Sequence, residues 1–232
     1  MAEQTYSSSA AVYVYEAPVR LWHWINAFAI IALCVTGYFI GSPLPSVSSG
    51  EASEHYVMGY MRFVHFAAAY IFIIGFVFRA YWAIVGNSHA RELFLPNIFS
   101  GKFWSGLVHE LKWYGFLAKE PHKHTGHNPL AVLSMHLLFV WGSIFMIISG
   151  LALYGEGMGM GSWQYQWFGS WFIPLMGQSQ DVHTWHHVGM WVIILFAMIH
   201  IYVAVWEDIM SRQTIISTMI SGWRLFKDNR PD

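Results

Sequence analysis

Charge is scarce in this chain. Lys plus Arg number 12 and Asp plus Glu 13 among 232 residues, 11% in all, against roughly 25% in a soluble domain. A formal net charge of −1 gives no footprint for a phosphate backbone, and no basic stripe interleaved with stacking aromatics occurs, which sets aside nucleic acid as a partner. Cysteine is scarcer still. The single one, Cys34, sits in an apolar run, so a disulfide framework, a CxxC zinc site and a CxxCH haem attachment are all excluded. Any cofactor is held without thiolates. The first twenty residues, MAEQTYSSSAAVYVYEAPVR, lack the apolar core and small-residue cleavage site of a signal peptide, so the N-terminus is expected to stay on the side where it is made.

What the chain has in excess is apolar: 56% hydrophobic residues and 18% aromatic. Four stretches, at roughly 21–40, 62–85, 130–154 and 184–206, each approach the roughly 20 residues that about 30 Å of hydrocarbon requires. The expectation is an all-α integral membrane protein, four transmembrane helices in a bundle forming a single membrane-embedded domain over 1–232. Orientation follows from the basic residues, which are retained in the cytoplasm. Arg20 precedes the first span. Arg79, Arg91, Lys102, Lys112, Lys119 and Lys123 follow the second, and Arg212, Arg224, Lys227 and Arg230 lie in the tail. The connections near 41–61 and 155–183 carry only acidic charge, Glu51, Glu54, Glu156 and Asp181. Both termini are therefore expected inside a bacterial cytoplasmic membrane.

Further segments read as interfacial. In 99–120, Phe103, Leu107, Leu111 and Tyr114 recur at helical spacing, which predicts a cytoplasmic helix lying on the membrane with Glu110 and His109 elsewhere around it. The tail 211–227 reads as a second amphipathic helix. The stretch GSWQYQWFGSWFIPLMGQ (161–178) is uncharged and aromatic, an outer loop at headgroup depth or under a partner protein.

The stretch HTWHHVGMWVIILFAMIH (183–200) has an imidazole at either end of an apolar run. Residues fourteen apart on a helix differ by about 1400°, only about 40° from one face, and by about 21 Å along the axis. His186 and His200 meet that condition; His183 and His187 do not share their face. With alternating spans, His65 matches His186 in the outer half of the membrane and His23 matches His200 in the inner half. A lone intramembrane histidine is as readily a hydrogen-bonded packing residue; four matched in depth argue for two stacked bis-histidine sites. Zinc wants three or four protein ligands, and neither cysteines nor clustered carboxylates complete such a set. Two imidazoles above and below a plane suit haem iron, and with both axial positions filled the work left is one-electron transfer. Haem b is implied, because no cysteines are available for covalent attachment.

Gly37, fourteen residues after His23, leaves room beside the outer haem or serves ordinary close helix packing. Arg62, Arg79 and Arg20 are candidate propionate contacts, against the reading of arginine at a span end as a headgroup anchor. For a quinone, the candidates near the inner haem are His127, Asn128, Glu207 and Asp208. Against them, Asn128 and Pro129 form a plausible helix start and 207–208 a solvated helix end. His136 has no depth-matched partner and reads as packing or support, and His89, His109, His122 and His124 read as solvated.

YEAPVRLWHWINAFAIIALCVTGYFIG, MGYMRFVHF, RELF, GHNPLA, GLALYGEG, GQSQDVHTWHHVGMWVIILFAMIH and EDIM, in this order over nearly the whole chain, resemble the b-type cytochrome subunit of membrane-bound nickel–iron hydrogenases. The resemblance implies a four-helix, di-haem b subunit with ligands at His23, His65, His186 and His200, inactive toward hydrogen alone. It implies as partners a periplasmic iron–sulfur small subunit and a nickel–iron large subunit, with electrons passing from the outer haem to the inner and on to menaquinone or ubiquinone. Two alternatives stay open: a di-haem cytochrome b of another quinone-linked dehydrogenase, of formate dehydrogenase type, or a stand-alone b561-like cytochrome; and a haem-free transporter or anchor.

Overall fold

The computed structural model describes residues 11–43, 56–120, 122 and 124–226. Glu51, Glu54, Lys123, Lys227 and Arg230, used above for orientation, lie outside them. Four long apolar helices carry the fold: α1 (Ala17–Gly41), α2 (Val57–Val85), and two more, Pro129–Met158 and Ser179–Met210. Each outruns its expected bounds by a few residues, because polar and aromatic flanks continue the backbone ladder without a breaker. In the most apolar window of the last of these, only 11% of the residues are buried. Large side chains such as Phe28, Ile31, Ile74, Leu195 and Ile201 are exposed. A helix apolar on its outside suits hydrocarbon as solvent, with every backbone group satisfied internally. The chain is a multi-pass membrane protein.

Shorter elements fill the connections. After α2 come α3 (Ser88–Arg91) and α4 (Gly101–Tyr114). The third long helix, α5 (Pro129–Met158), starts from Asn128, whose side chain accepts from Ala131 N, and is π-helical over Met135–Trp141. The stretch expected as an aromatic loop is helical: a π-helical turn at Tyr165–Gly169 leads into α6 (Ser170–Met176), whose Phe172 is buried with Ala152 and Val182. The fourth long helix is α7 (Ser179–Met210), followed by α8 (Ile215–Ser221).

The tail departs from expectation. Its helix stops at Ser221 because Gly222 takes a left-handed conformation, φ +87°, that favours glycine. The chain then forms strand β2 (Trp223–Leu225), antiparallel to β1 (Ala11–Tyr13), with Val12 opposite Arg224. Arg224 is buried and donates from Nη1 to the carbonyls of His124 (2.9 Å) and Gly126 (2.6 Å). It is a structural tie as well as a charge of the tail.

The expected stripe on α4 is also rotated. Leu107 and Glu110 are buried, whereas Leu111 is exposed. The cause is polar: Glu110 Oε1 accepts from His124 Nε2 at 3.0 Å, so His124 is not merely solvated, and Trp113 Nε1 donates to Glu207 Oε1 at 3.2 Å.

Contacts divide the chain into two compact units. One comprises the chain up to His23, Arg79–Leu137 and everything from Ala197; the other comprises Trp24–Phe78 and Leu138–Phe196.

Candidate functional site

His65 on α2 and His186 on α7 line one cavity of about 770 Å³ in the second unit, a size typical of a cofactor pocket. Its walls are largely apolar, with Leu33, Phe72, Leu151 and Ile193 among them. The polar lining includes Arg62 near the start of α2 and Gln180, His183, Thr184 and His187 near the start of α7.

Both imidazoles are held in the same way. His65 Nδ1 lies 2.9 Å from Thr36 Oγ1, which donates its own proton to the Ala32 carbonyl at 2.6 Å. His186 Nδ1 lies 2.7 Å from Ser149 Oγ, which donates to the Phe145 carbonyl at 2.7 Å. A hydroxyl has one proton, and here it goes to the helix one turn back, so the oxygen is left to accept from the imidazole. Nδ1 therefore carries the hydrogen, and Nε2 keeps the lone pair that binds a metal. A glycine follows each hydroxyl. A Cβ at Gly37 would stand 3.2 Å from His65 Cε1, and one at Gly150 would stand 3.2 Å from His186 Cε1. Gly37, expected to make room for a macrocycle, makes room for the His65 ring.

In the other unit, the rings of His23 on α1 and His200 on α7 lie 6.4 Å apart between centroids, inclined at 50°. A metal–imidazole bond takes about 2 Å, so this spacing admits one metal ion between facing nitrogens. Arg79 is buried in the same unit, its guanidinium 5.4 Å from the Trp22 ring and 5.6 Å from that of Phe94. Nη2 donates to the Ala90 carbonyl at 2.8 Å, while Nε and Nη1 are buried with no hydrogen-bond partner among the described residues. A buried guanidinium with spare donors fits a carboxylate, such as a haem propionate. Arg20 instead points its Nη1 at the Ile220 carbonyl.

The quinone candidates mostly have structural partners. Asn128 caps α5 and donates from Nδ2 to the Tyr114 hydroxyl at 3.3 Å. Asp208 accepts from Ile216 N at 3.0 Å, at the start of α8. Glu207 is buried against Trp113 and Tyr114. His127 Nε2 lies 3.0 Å from the Tyr15 hydroxyl, and its backbone N–H donates to Glu92. His136 Nδ1 reaches the Leu93 carbonyl at 3.0 Å, a packing role.

Glu92 gathers the loop before α5. Burial pushes its carboxyl up, but hydrogen bonds from His127 and His89 outweigh that and hold it at about 2, below its ordinary 4.5. A depressed carboxylate contributes stability that is full above 4.5 and is lost as pH falls through about 2. Glu92→Gln is therefore expected to lower the thermal midpoint at neutral pH, with the gap to the parent protein closing as the pH falls toward 2. A gap that is unchanged at low pH would refute this.

Residues 14–222 match the family model for prokaryotic cytochrome b561. The chain belongs to that family. This cytochrome is 61% identical to a protein of Azotobacter chroococcum mcd 1 over 96% of this chain and 92% of the relative. It is 58% identical to one of Cupriavidus necator, over 95% and 90% respectively. With a protein of Escherichia coli strain K12 it shares 47% identity over 93% and 91%. The first two are named probable Ni/Fe-hydrogenase B-type cytochrome subunit, and the third probable Ni/Fe-hydrogenase 1 B-type cytochrome subunit. Membership implies b-type haem for this cytochrome. Sequence reasoning missed Thr36, Ser149 and Gly150; the signal was there in two hydroxyl–glycine dipeptides, one on each helix neighbouring a histidine helix.

Proposed function

We propose that this cytochrome is the membrane anchor and electron-transfer subunit of a respiratory uptake nickel–iron hydrogenase, holding two b haems. His65 and His186 would ligate the outer one and His23 and His200 the inner, with Arg62 and Arg79 as propionate contacts. When bound, the haems supply one-electron carriage between a periplasmic iron–sulfur subunit and a membrane quinone. The chain's own residues fix the imidazole nitrogens, wall the cavity with apolar side chains and hold a buried Arg79 guanidinium with spare donors that a propionate would take. His127, Asn128 and Glu207 would meet the quinone, with Asp208 beside them at the end of α7. The reading is supported by the placing of the four histidines in twos, His65 and His186 on one cavity with their Nε2 atoms left to bind metal, and His23 and His200 with rings 6.4 Å apart. The names of its relatives supply the hydrogenase partners.

The test is gentle solubilisation of native membranes followed by purification through this chain. Nickel and an iron–sulfur protein are expected to co-purify, and hydrogen is expected to reduce the haem of the complex but not that of the isolated chain. Full haem with neither metal partner would point to another cytochrome b.

A further inference from the structure

Glu110 is the most deeply buried carboxylate among the described residues, with 2% of its surface exposed, and it stands on a helix outside the membrane spans. Burying a carboxylate is costly unless it is paired, and its hydrogen-bond partner is His124, whose side chain is 28% exposed. The His122 and His124 rings are 6.2 Å apart between centroids, and His122 is exposed and stacks on His109 at 3.7 Å. On the inner side, Tyr114 stands one turn beyond Glu110 on the same face of α4. The Tyr114 hydroxyl hydrogen-bonds Glu207 and receives the Asn128 amide. Trp113, three residues from Glu110, also donates to Glu207, from Nε1 to Oε1 at 3.2 Å. Imidazole, carboxylate and phenol thus run from solvent to two of the residues assigned above to the quinone. The titratable groups around Glu110 are His124 from the loop, Tyr114 on its own helix and Glu207 from α7; Arg224 binds the His124 carbonyl rather than Glu110.

We infer that His124, Glu110, Tyr114 and Glu207 form a proton-uptake route that supplies quinone reduction. The inference rests on the quinone-reducing reading above. A quinone becomes a hydroquinone by gaining two electrons, which that activity delivers, and two protons, one on each oxygen. His124 takes a proton from solvent and passes it to the Glu110 carboxylate. It moves through the Tyr114 hydroxyl, which donates its own proton to Glu207 and is refilled from Glu110. Glu207 then protonates a quinone oxygen and is ready for the second passage. Nothing but the quinone is reduced, and each relay group returns to its starting state.

The experiment uses the whole hydrogenase complex in membrane vesicles with E110Q, E110D and H124Q. Three readouts are taken: haem reduction by hydrogen, hydrogen-dependent reduction of a quinone analogue, and reduction of a one-electron dye that needs no proton. E110Q is expected to slow quinone reduction about 100-fold, in the range for a removed acid–base group, while haem and dye reduction stay at the parent rate. E110D is expected to restore most of the quinone rate, which a purely structural role would not require. Should E110Q fail to assemble, H124Q carries the test, with slowed quinone reduction and normal haem reduction expected. Parent-like quinone reduction in an assembled E110Q complex, or in H124Q if E110Q does not assemble, overturns the relay. Failure of hydrogen to reduce the haem in the parent complex overturns the functional reading itself, and the relay with it.

Discussion

Alanine at His65 is expected to leave one haem b per chain where the parent protein is expected to hold two, and alanine at His200 to leave the other one. The pyridine haemochrome of gently solubilised protein counts the haem, and redox titration tells the two variants apart by which potential survives. The effect is large because each proposed site would offer only two protein ligands. Among the described residues, no group of three or more histidine, cysteine or carboxylate side chains is arranged to hold a metal. His183 and His187 also line the outer cavity, but both stand on α7, the helix that already carries His186, rather than on the side His65 would vacate. The two pairs lie in different compact units, His65 with His186 and His23 with His200, so each loss is expected to stay local. A His65→Ala protein with full haem would exclude that histidine as a ligand.

Thr36→Val and Ser149→Ala are each expected to cost about 10–100-fold in haem affinity, the usual consequence of removing the group that orients a metal-bound histidine. Valine matches threonine in shape but offers no acceptor, so the His65 ring would lose the hydroxyl and keep only its backbone hydrogen bond to Leu33. The ring then gains freedom to turn, and its Nε2 becomes a weaker donor. Haem occupancy under limiting haem supply measures the loss, and Thr36→Ser, which keeps the hydroxyl, is expected to recover it. Unchanged occupancy in both Thr36→Val and Ser149→Ala would show that the cavity walls alone align the rings.

The parts of this molecule visible in its sequence are those governed by period and solvent. Twenty-residue apolar runs report the bilayer, and the fourteen-residue interval between His186 and His200 reports one face of a helix; both need only local geometry. The strand pair of Ala11–Tyr13 with Trp223–Leu225 is invisible because two three-residue strands some 200 positions apart carry no periodic signal. The rotation of α4 was hidden for a different reason. A hydrophobic stripe drawn through Phe103, Leu107, Leu111 and Tyr114 assumes that burial follows apolarity, yet the face of α4 is set by what Glu110, Trp113 and Tyr114 bond to. Thr36 and Ser149 look like ordinary polar interruptions of a span until the histidine on the next helix is in place. Arg224 reads as a topogenic charge for the same cause, since its carbonyl partners at His124 and Gly126 lie 98 or more residues away.

The hydroxyls of Thr36 and Ser149 tie the His65 and His186 imidazoles to the backbone of a neighbouring helix. Any strain that lengthens the Thr36 to Ala32 or the Ser149 to Phe145 bond frees a hydroxyl proton, and with it the bias that keeps hydrogen on the imidazole nitrogen facing away from the metal. Bending of α1 or α5 at those turns would therefore register as a change in imidazole basicity, and with haem held through these nitrogens the mechanical state of the bundle and the redox poise of the iron would be one coupled variable.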